Sequence, residues 1–267
     1  MLTMKFALCC SGSKGNSFVL QDKDCTLVID CGSTRKYLEN CYRELGIKID
    51  DVDACLVTHQ HVDHVSQIQM FKNKEVYSAL EINGCKNLHI LEPFESFQIK
   101  KLQITPLPLS HDAEKTMGFV IESETEKLVY ITDTGYLNES YYSYLIGADY
   151  IILESNHDLK MLMESRRPHF VKQRIFSDNG HLCNENCAEV LMNIVTEKTK
   201  QIFLAHISDE ANTRQKALKV NTEALMKKKN LNKDLVIIAS DQFVMVQGGE
   251  GNEKVSHSSH CCALGLE

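Results

Sequence analysis

Within one short stretch, Thr58-His59-Gln60-His61-Val62-Asp63-His64, the chain gathers three of its 11 histidines and one carboxylate. Imidazole nitrogen and carboxylate oxygen are the donors that suit Zn²⁺, Mn²⁺ or Fe²⁺. On an extended loop, His59 and His61 can face one ion while Asp63 and His64 turn toward a second. The run Ala54–Val57 ahead of them is apolar and strand-like, and Ser66 onward reads as helix. The cluster therefore sits on a loop leaving a strand, where active-site groups commonly lie. The chemistry it points to is metal-assisted hydrolysis.

Positioning such a loop takes a framework, and the pattern supplies one. Lys5–Cys9, Ser17–Leu20 and Thr26–Asp30 read as strands. A helix capped by Ser33 or Thr34 runs toward Leu45 and stops at Gly46. Further strands are expected at 76–80, 88–91, 96–99 and 101–105, then a hairpin of 118–122 and 127–132. The second half reads as a helix at 138–146, a buried strand at 150–153 and an amphipathic helix at 184–197. In that helix Ala188, Leu191, Met192 and Val195 share one face. A strand at 201–205, a helix at 212–228 and strands at 235–239 and 243–246 close the pattern. Strands and helices alternate in two blocks, which predicts sheets covered by helices.

Composition narrows the class. With 267 residues, 43% hydrophobic and 24% charged, the chain fits one large globular domain. Residues 1–247 are read as that domain, and 248–267, rich in Gly, Ser and His, as a flexible tail. His257, His260, Cys261 and Cys262 there could bind metal adventitiously. No apolar stretch approaches the roughly 18 residues of a membrane span, and Met1–Cys10 is too short for a signal-peptide core. A cytoplasmic protein without a membrane partner is expected. The odd count of 11 cysteines, with no CxxC pair, reads as reduced, buried thiols such as Cys25, Cys31 and Cys55. Cys183 and Cys187, four apart at a helix start, form a weaker metal pair. The net charge of -7 argues against a broadly basic nucleic-acid surface. A nuclease stays open, because bound cations bring positive charge of their own. Arg166, Arg167, Lys172 and Arg174 form a local basic cluster, and Lys227 to Lys229 another.

HxHxDH after an apolar strand resembles the metallo-β-lactamase superfamily. The other markers of that family follow in order: His111 in Ser110-His111-Asp112, Asp133 in Thr132-Asp133-Thr134-Gly135, and His206 ending Ile202-Phe203-Leu204-Ala205-His206. Ser11-Gly12-Ser13-Lys14-Gly15-Asn16, Ile29-Asp30-Cys31-Gly32, Leu153-Glu154-Ser155-Asn156-His157-Asp158 and Gly180-His181-Leu182 resemble its bacterial YycJ/WalJ branch. The resemblance implies a four-layer αββα sandwich and a pair of divalent ions, Zn²⁺ or Mn²⁺ with Fe²⁺ as an option. His59, His61 and His111 would hold one ion; Asp63, His64 and His206 the other. Asp133 would bridge them, and Asp63 would orient the hydroxide. It also implies a phosphodiesterase, with 5′→3′ exonuclease activity on DNA.

Three further features are candidates on their own chemistry. His181, after a Gly turn and ahead of a helix, could protonate a leaving oxygen or grip a phosphate. His157 could contact substrate, although Asn156-His157-Asp158 also suits a helix cap. The loop Ser11–Asn16 could present backbone N–H groups, Ser13, Lys14 and Asn16 to a phosphate. It lacks the spacing of a nucleotide P-loop. Arg166–Phe170 could add phosphate contacts and a stacking ring.

The leading expectation is hydrolysis of nucleic-acid phosphodiesters, DNA before RNA. The alternative is a small thioester, lactone or cyclic phosphate on the same centre, which the acidic charge favours. Diiron redox chemistry is set aside, because His61 stands where that branch carries a carboxylate. A non-catalytic module is set aside because no expected ligand is missing.

Overall fold

Tyr150 and Ile152 point into a core between two sheets, while Ile151 and Leu153 point outward against helices. Phe203 and Ile202 divide in the same way, as do Tyr130 and Val129. A strand covered on both faces reads as a continuous apolar run, and this accounts for the second-half strands. The computed structural model describes residues 3–249 and a strand at Cys261–Ala263.

The strands are β1 (Lys5–Cys10), β2 (Ser17–Asp22), β3 (Cys25–Ile29), β4 (Ala54–Leu56), β5 (Glu75–Ser78), β6 (Asn87–Ile90), β7 (Phe97–Ile99) and β8 (Leu102–Leu109). They continue as β9 (Thr116–Glu122), β10 (Lys127–Ile131), β11 (Tyr150–Glu154), β12 (Gln201–Ala205), β13 (Val236–Ala239), β14 (Val246–Gly249) and β15 (Cys261–Ala263). One sheet runs β14-β1-β2-β3-β4-β5-β6 and the other β15-β13-β12-β11-β10-β9-β8-β7. Within each, a parallel block carries the site: β3 to β6 in the first and β10 to β13 in the second.

The helices are α1 (Arg35–Glu44), α2 (Val62–Val65), α3 (Tyr142–Leu145), α4 (Leu159–Glu164), α5 (His169–Phe176), α6 (Asn184–Ile194) and α7 (Arg214–Leu225). Leu38, Cys41 and Tyr42 of α1 cover the first sheet, and α6 and α7 cover the second. The result is the expected αββα sandwich. Thr34 caps α1, its hydroxyl accepting from Tyr37 N, and Gly46 beyond the helix takes φ 71°. No helix among the described residues is long and apolar enough to cross a membrane. The cysteines from Cys9 to Cys187 are all free and, Cys85 apart, buried; Cys183 Sγ caps α6 by accepting from Asn186 N.

Several expectations shift. The helix expected over 138–146 is a 3₁₀ turn, Glu139–Tyr141, followed by the short α3. α6 ends at Ile194 because Val195 is extended, its N–H still reaching Leu191 O. The last first-sheet strand is Val246–Gly249, not 243–246; Phe243 and Val244 lie exposed in the preceding turn. The glycines read as tail are partly structural. Gly248 pairs with Phe6 across the sheet, and a Cβ there would meet the Phe6 ring at 2.4 Å and Phe203 at 2.6 Å. Only a bare backbone fits against those rings. Cys261–Ala263 pairs with β13 as an edge strand. The remaining positions of the expected tail, His257 and His260 among them, lie outside the described residues.

Candidate metal centre

Five of the parallel strands, β3, β4, β10, β11 and β12, deliver polar residues at their C-terminal ends, where α/β sheets commonly bind ligands. Asp30 follows β3, Thr58 to His64 follow β4, Asp133 follows β10, Glu154 ends β11 and His206 follows β12. His111 follows β8 nearby. Asp30, Asp133 and His206 take left-handed backbone, with φ of 59°, 57° and 52°. Such conformations are uncommon outside glycine and gather where function over-determines the chain. Gly32 is held to its size by the metal loop, since a Cβ would stand 1.6 Å from Asp63 O.

The structure brings His59, His61 and His111 within ligand reach of one another, and likewise His59, His64 and Asp133. Asp133 lies between two groups: Oδ2 is 3.4 Å from His64 Nε2, and Oδ1 is 3.4 Å from His206 Nε2. Asp63 Oδ2 lies 3.7 Å from His64 Nε2. The imidazoles are held from behind. His64 Nδ1 donates to Asp30 Oδ2 at 2.8 Å, His206 Nδ1 to Glu154 Oε1 at 2.7 Å, and His111 Nδ1 to Gly180 O at 3.1 Å. His59 Nδ1 meets the Thr58 hydroxyl at 3.1 Å, and that hydroxyl donates to Asp30. With these Nδ1 atoms engaged, the Nε2 atoms of His59, His111 and His206 are left for the centre, the arrangement that prepares histidine for a metal, while His64 Nε2 also meets the Asn16 amide at 2.9 Å.

Electrostatics agree. Burial, aided by His64, holds His59 down at about 2, so its ring is a neutral donor at ordinary pH. Burial opposes charge on His206 as well, but Asp133 and Glu154 outweigh it and raise it to about 9. Burial pushes Asp133 up, yet the surrounding His206, His64 and His59 bring it well below the usual carboxylate range. His59 Nε2, His206 Nε2 and Asp133 Oδ2 are buried with no hydrogen-bond partner. Leaving such atoms unpaired costs about 1–3 kcal/mol each. Divalent cations at the two neighbouring donor groups would satisfy them, so these residues fit such ions.

Two measurable consequences follow. Stripping divalent cations with a chelator is expected to lower the melting temperature by roughly 10 °C, read by thermal unfolding; an unchanged midpoint would leave the orphaned atoms without a cation. The size of that effect depends on pH through His206. The metal-free fold keeps its proton up to about pH 9, whereas an unfolded chain releases it near 6.5. That proton stabilises the metal-free fold below pH 6.5, and the contribution is lost as pH rises through 9. Stabilisation by added cation is therefore expected to grow across that window.

Outside the ligands, the expected residues fare differently. His181 lies beside the centre: Nδ1 donates to Glu154 Oε1 at 2.8 Å, and the ring packs 5.0 Å from His206. Asn16 is fully buried, its amide bridging Gly12 O and His64 Nε2. It braces the metal loop and does not face substrate. His157 is also buried, burial lowering it to about 4, and Asp158 beside it caps α4. A direct contact between His157 and substrate would require its loop to open.

Ser13 and Lys14 are exposed at the rim, but the backbone N–H groups of their loop are spent internally. Gly15 N donates to Gly12 O, and Asn16 N to Asp63 O. With the Gln242 amide oriented to satisfy both its ends, its oxygen accepts from Lys14 N at 2.7 Å and Ser13 N at 3.2 Å. The reading of this loop as an anion-binding nest is thus corrected; the Ser13 hydroxyl and Lys14 ammonium remain available.

Glu154 and Asp30 stand in motifs quoted for the family resemblance, without a role assigned from sequence. Glu154 Oε1 takes both His181 and His206, while Oε2 accepts from Thr134 N at 2.9 Å. Burial raises Glu154, but the two histidines outweigh it and lower it to about 2. A lone acid ending an apolar strand was the available signal, since an unpaired buried charge is too costly to leave unexplained.

A family model, Beta-lactamase superfamily domain, matches residues 26–207. The chain is 31% identical over 228 residues to "Exodeoxyribonuclease YycJ" of Bacillus anthracis, covering 80% of this chain and 86% of that protein. It is 31% identical to "Exodeoxyribonuclease WalJ" of Streptococcus pneumoniae strain D39, covering 80% and 85%. Among solved structures, the metallo-beta-lactamase fold protein YhfI of Bacillus subtilis superposes with a TM-score of 0.69 at 17% identity, over 93% of this chain and all of that one. The chain therefore belongs to the beta-lactamase superfamily, within which it is a metal-dependent hydrolase of the kind its donor cluster is built for.

Proposed function

We propose that the chain is a dimetal phosphodiesterase acting on nucleic acid, with the character of a 5′→3′ DNA exonuclease. The observation that carries this reading is Asp133, one carboxylate with an oxygen toward His64 and another toward His206. His59, His61 and His111 would hold one divalent ion, Zn²⁺ or Mn²⁺ with Fe²⁺ also accepted. Asp63, His64 and His206 would hold the second, with Asp133 as a ligand common to both. Such ions would supply Lewis-acid polarisation of the phosphate and a water of lowered pKa.

The chain's own groups complete the reaction. Asp63 orients the attacking oxygen. Glu154 fixes the His181 ring by its Nδ1, leaving Nε2 to give a proton to the leaving 3′-oxygen. Beside them a cavity of about 380 Å³ is lined by Lys14, Arg167, Arg174, His181 and His206. Its cations suit phosphate, though Arg167 already pairs with Glu210 and Arg174 with Asp112. The names of the relatives support DNA as substrate.

The net charge of -7 favours a second reading, hydrolysis of a small thioester, lactone or cyclic phosphate on the same centre. A substrate panel separates the two. With Mn²⁺ or Zn²⁺, 5′-phosphorylated duplex DNA is expected to release mononucleotides progressively, alongside single-stranded RNA, bis-p-nitrophenyl phosphate and a thioester as comparisons. Activity confined to the thioester would end the nuclease reading.

A further inference from the structure

Next to Asp63, a second cleft of about 640 Å³, which His181 does not line, is bordered by Lys14, Ser33, Tyr37, Val62, Asp63 and Phe243. Its wall is apolar and unusually exposed for its place. Val62, sandwiched in sequence between His61 and Asp63, is 76% exposed, and Phe243 is 44% exposed. His61 and Asp63 on either side are half-buried, whereas the Val62 side chain stands exposed to whatever enters the cleft.

The two rings of the cleft are fixed in advance. The Tyr37 hydroxyl donates to Cys9 O at 2.7 Å, which pins that ring to the end of β1. Phe243 packs edge-on against it, centroids 5.4 Å apart at 73°. Gln242, next to Phe243, is tied to the Ser11–Asn16 loop through Ser11 N and through the N–H groups of Ser13 and Lys14. Phe243 thus sits on a braced turn with its ring part-exposed to the cleft. Ser33 and Ser66 add hydroxyls, and Lys14 borders both this cleft and the cavity beside His181.

We infer that this cleft is a base-stacking subsite. It takes the nucleobase of the nucleotide that flanks the scissile phosphate on the Asp63 side, with Phe243 as platform and Val62 and Tyr37 as the remaining wall. The inference rests on the nucleic-acid reading above and deepens it. A flat apolar platform suits any base, because every base has a π-face, so the subsite confers strand binding without strong sequence preference. Lys14, at the junction of the two spaces, is placed for the phosphate that joins the nucleotides on either side.

The test pairs a change in the protein with a change in the substrate. Mn²⁺-loaded protein is given 5′-phosphorylated oligonucleotides carrying one abasic site at the first, second or third nucleotide. One position is expected to raise KM roughly tenfold with little change in kcat, the size of a single base–aromatic stack. Phe243→Ala is expected to raise KM similarly on intact DNA and to remove the penalty of the abasic site, whereas Phe243→Trp keeps KM low on intact DNA and retains the abasic penalty. The ring is at the surface, so the melting temperature should not move. If DNA is degraded but neither Phe243→Ala nor any abasic position matters, the stacking subsite is overturned and the nuclease reading survives. If no nucleic acid is degraded at all, both fall together.

Discussion

Replacing His59 and Asp133 together by alanine is expected to reduce hydrolysis of DNA and of bis-p-nitrophenyl phosphate to background while leaving a folded protein. His59 belongs to two of the overlapping donor groups, and Asp133 reaches both His64 and His206. Their loss removes the shared carboxylate and a neutral imidazole at once. The fold should tolerate it, because the remaining histidines keep their own anchors: His64 on Asp30 and His206 on Glu154. Turnover assays beside circular dichroism check both halves. A folded double variant with wild-type turnover would end the dimetal account.

The second large effect belongs to His181. On DNA, His181→Ala is expected to lower kcat by roughly 10²–10⁴, the range of a lost general acid. On bis-p-nitrophenyl phosphate the fall should be far smaller, since nitrophenolate departs without needing a proton. That contrast distinguishes proton donation from a structural role, which would lower both alike. Equal losses on the two substrates would return His181 to the scaffold. Gly180 shows how tightly the ring is placed: a Cβ there would lie 2.2 Å from Ile175 O, so the turn ahead of His181 packs directly on the end of α5.

What could be read in advance follows from which contacts are local. The HxHxDH run is contiguous and carries the family resemblance, and that resemblance marked His111, Asp133 and His206, each of which follows an apolar strand. Glu154 and Asp30 act on partners tens of residues away, His181 and His64 among them, and no local pattern announces such pairings. The Ser11–Asn16 loop misled for the same reason. Its composition suits an anion nest, but Gln242, distant in sequence, occupies the N–H groups. Gly248 read as tail because its lack of a side chain matters only against Phe6 and Phe203. The short helices α4 and α5 escaped because neither is long enough to show a clear helical period.

The most direct test is anomalous diffraction at the manganese edge from crystals of Mn²⁺-loaded protein. Two peaks roughly 3.5–4 Å apart, astride the Asp133 carboxylate, are expected. A lone peak, or ions seated away from Asp133, would contradict the shared centre on which the proposed chemistry depends.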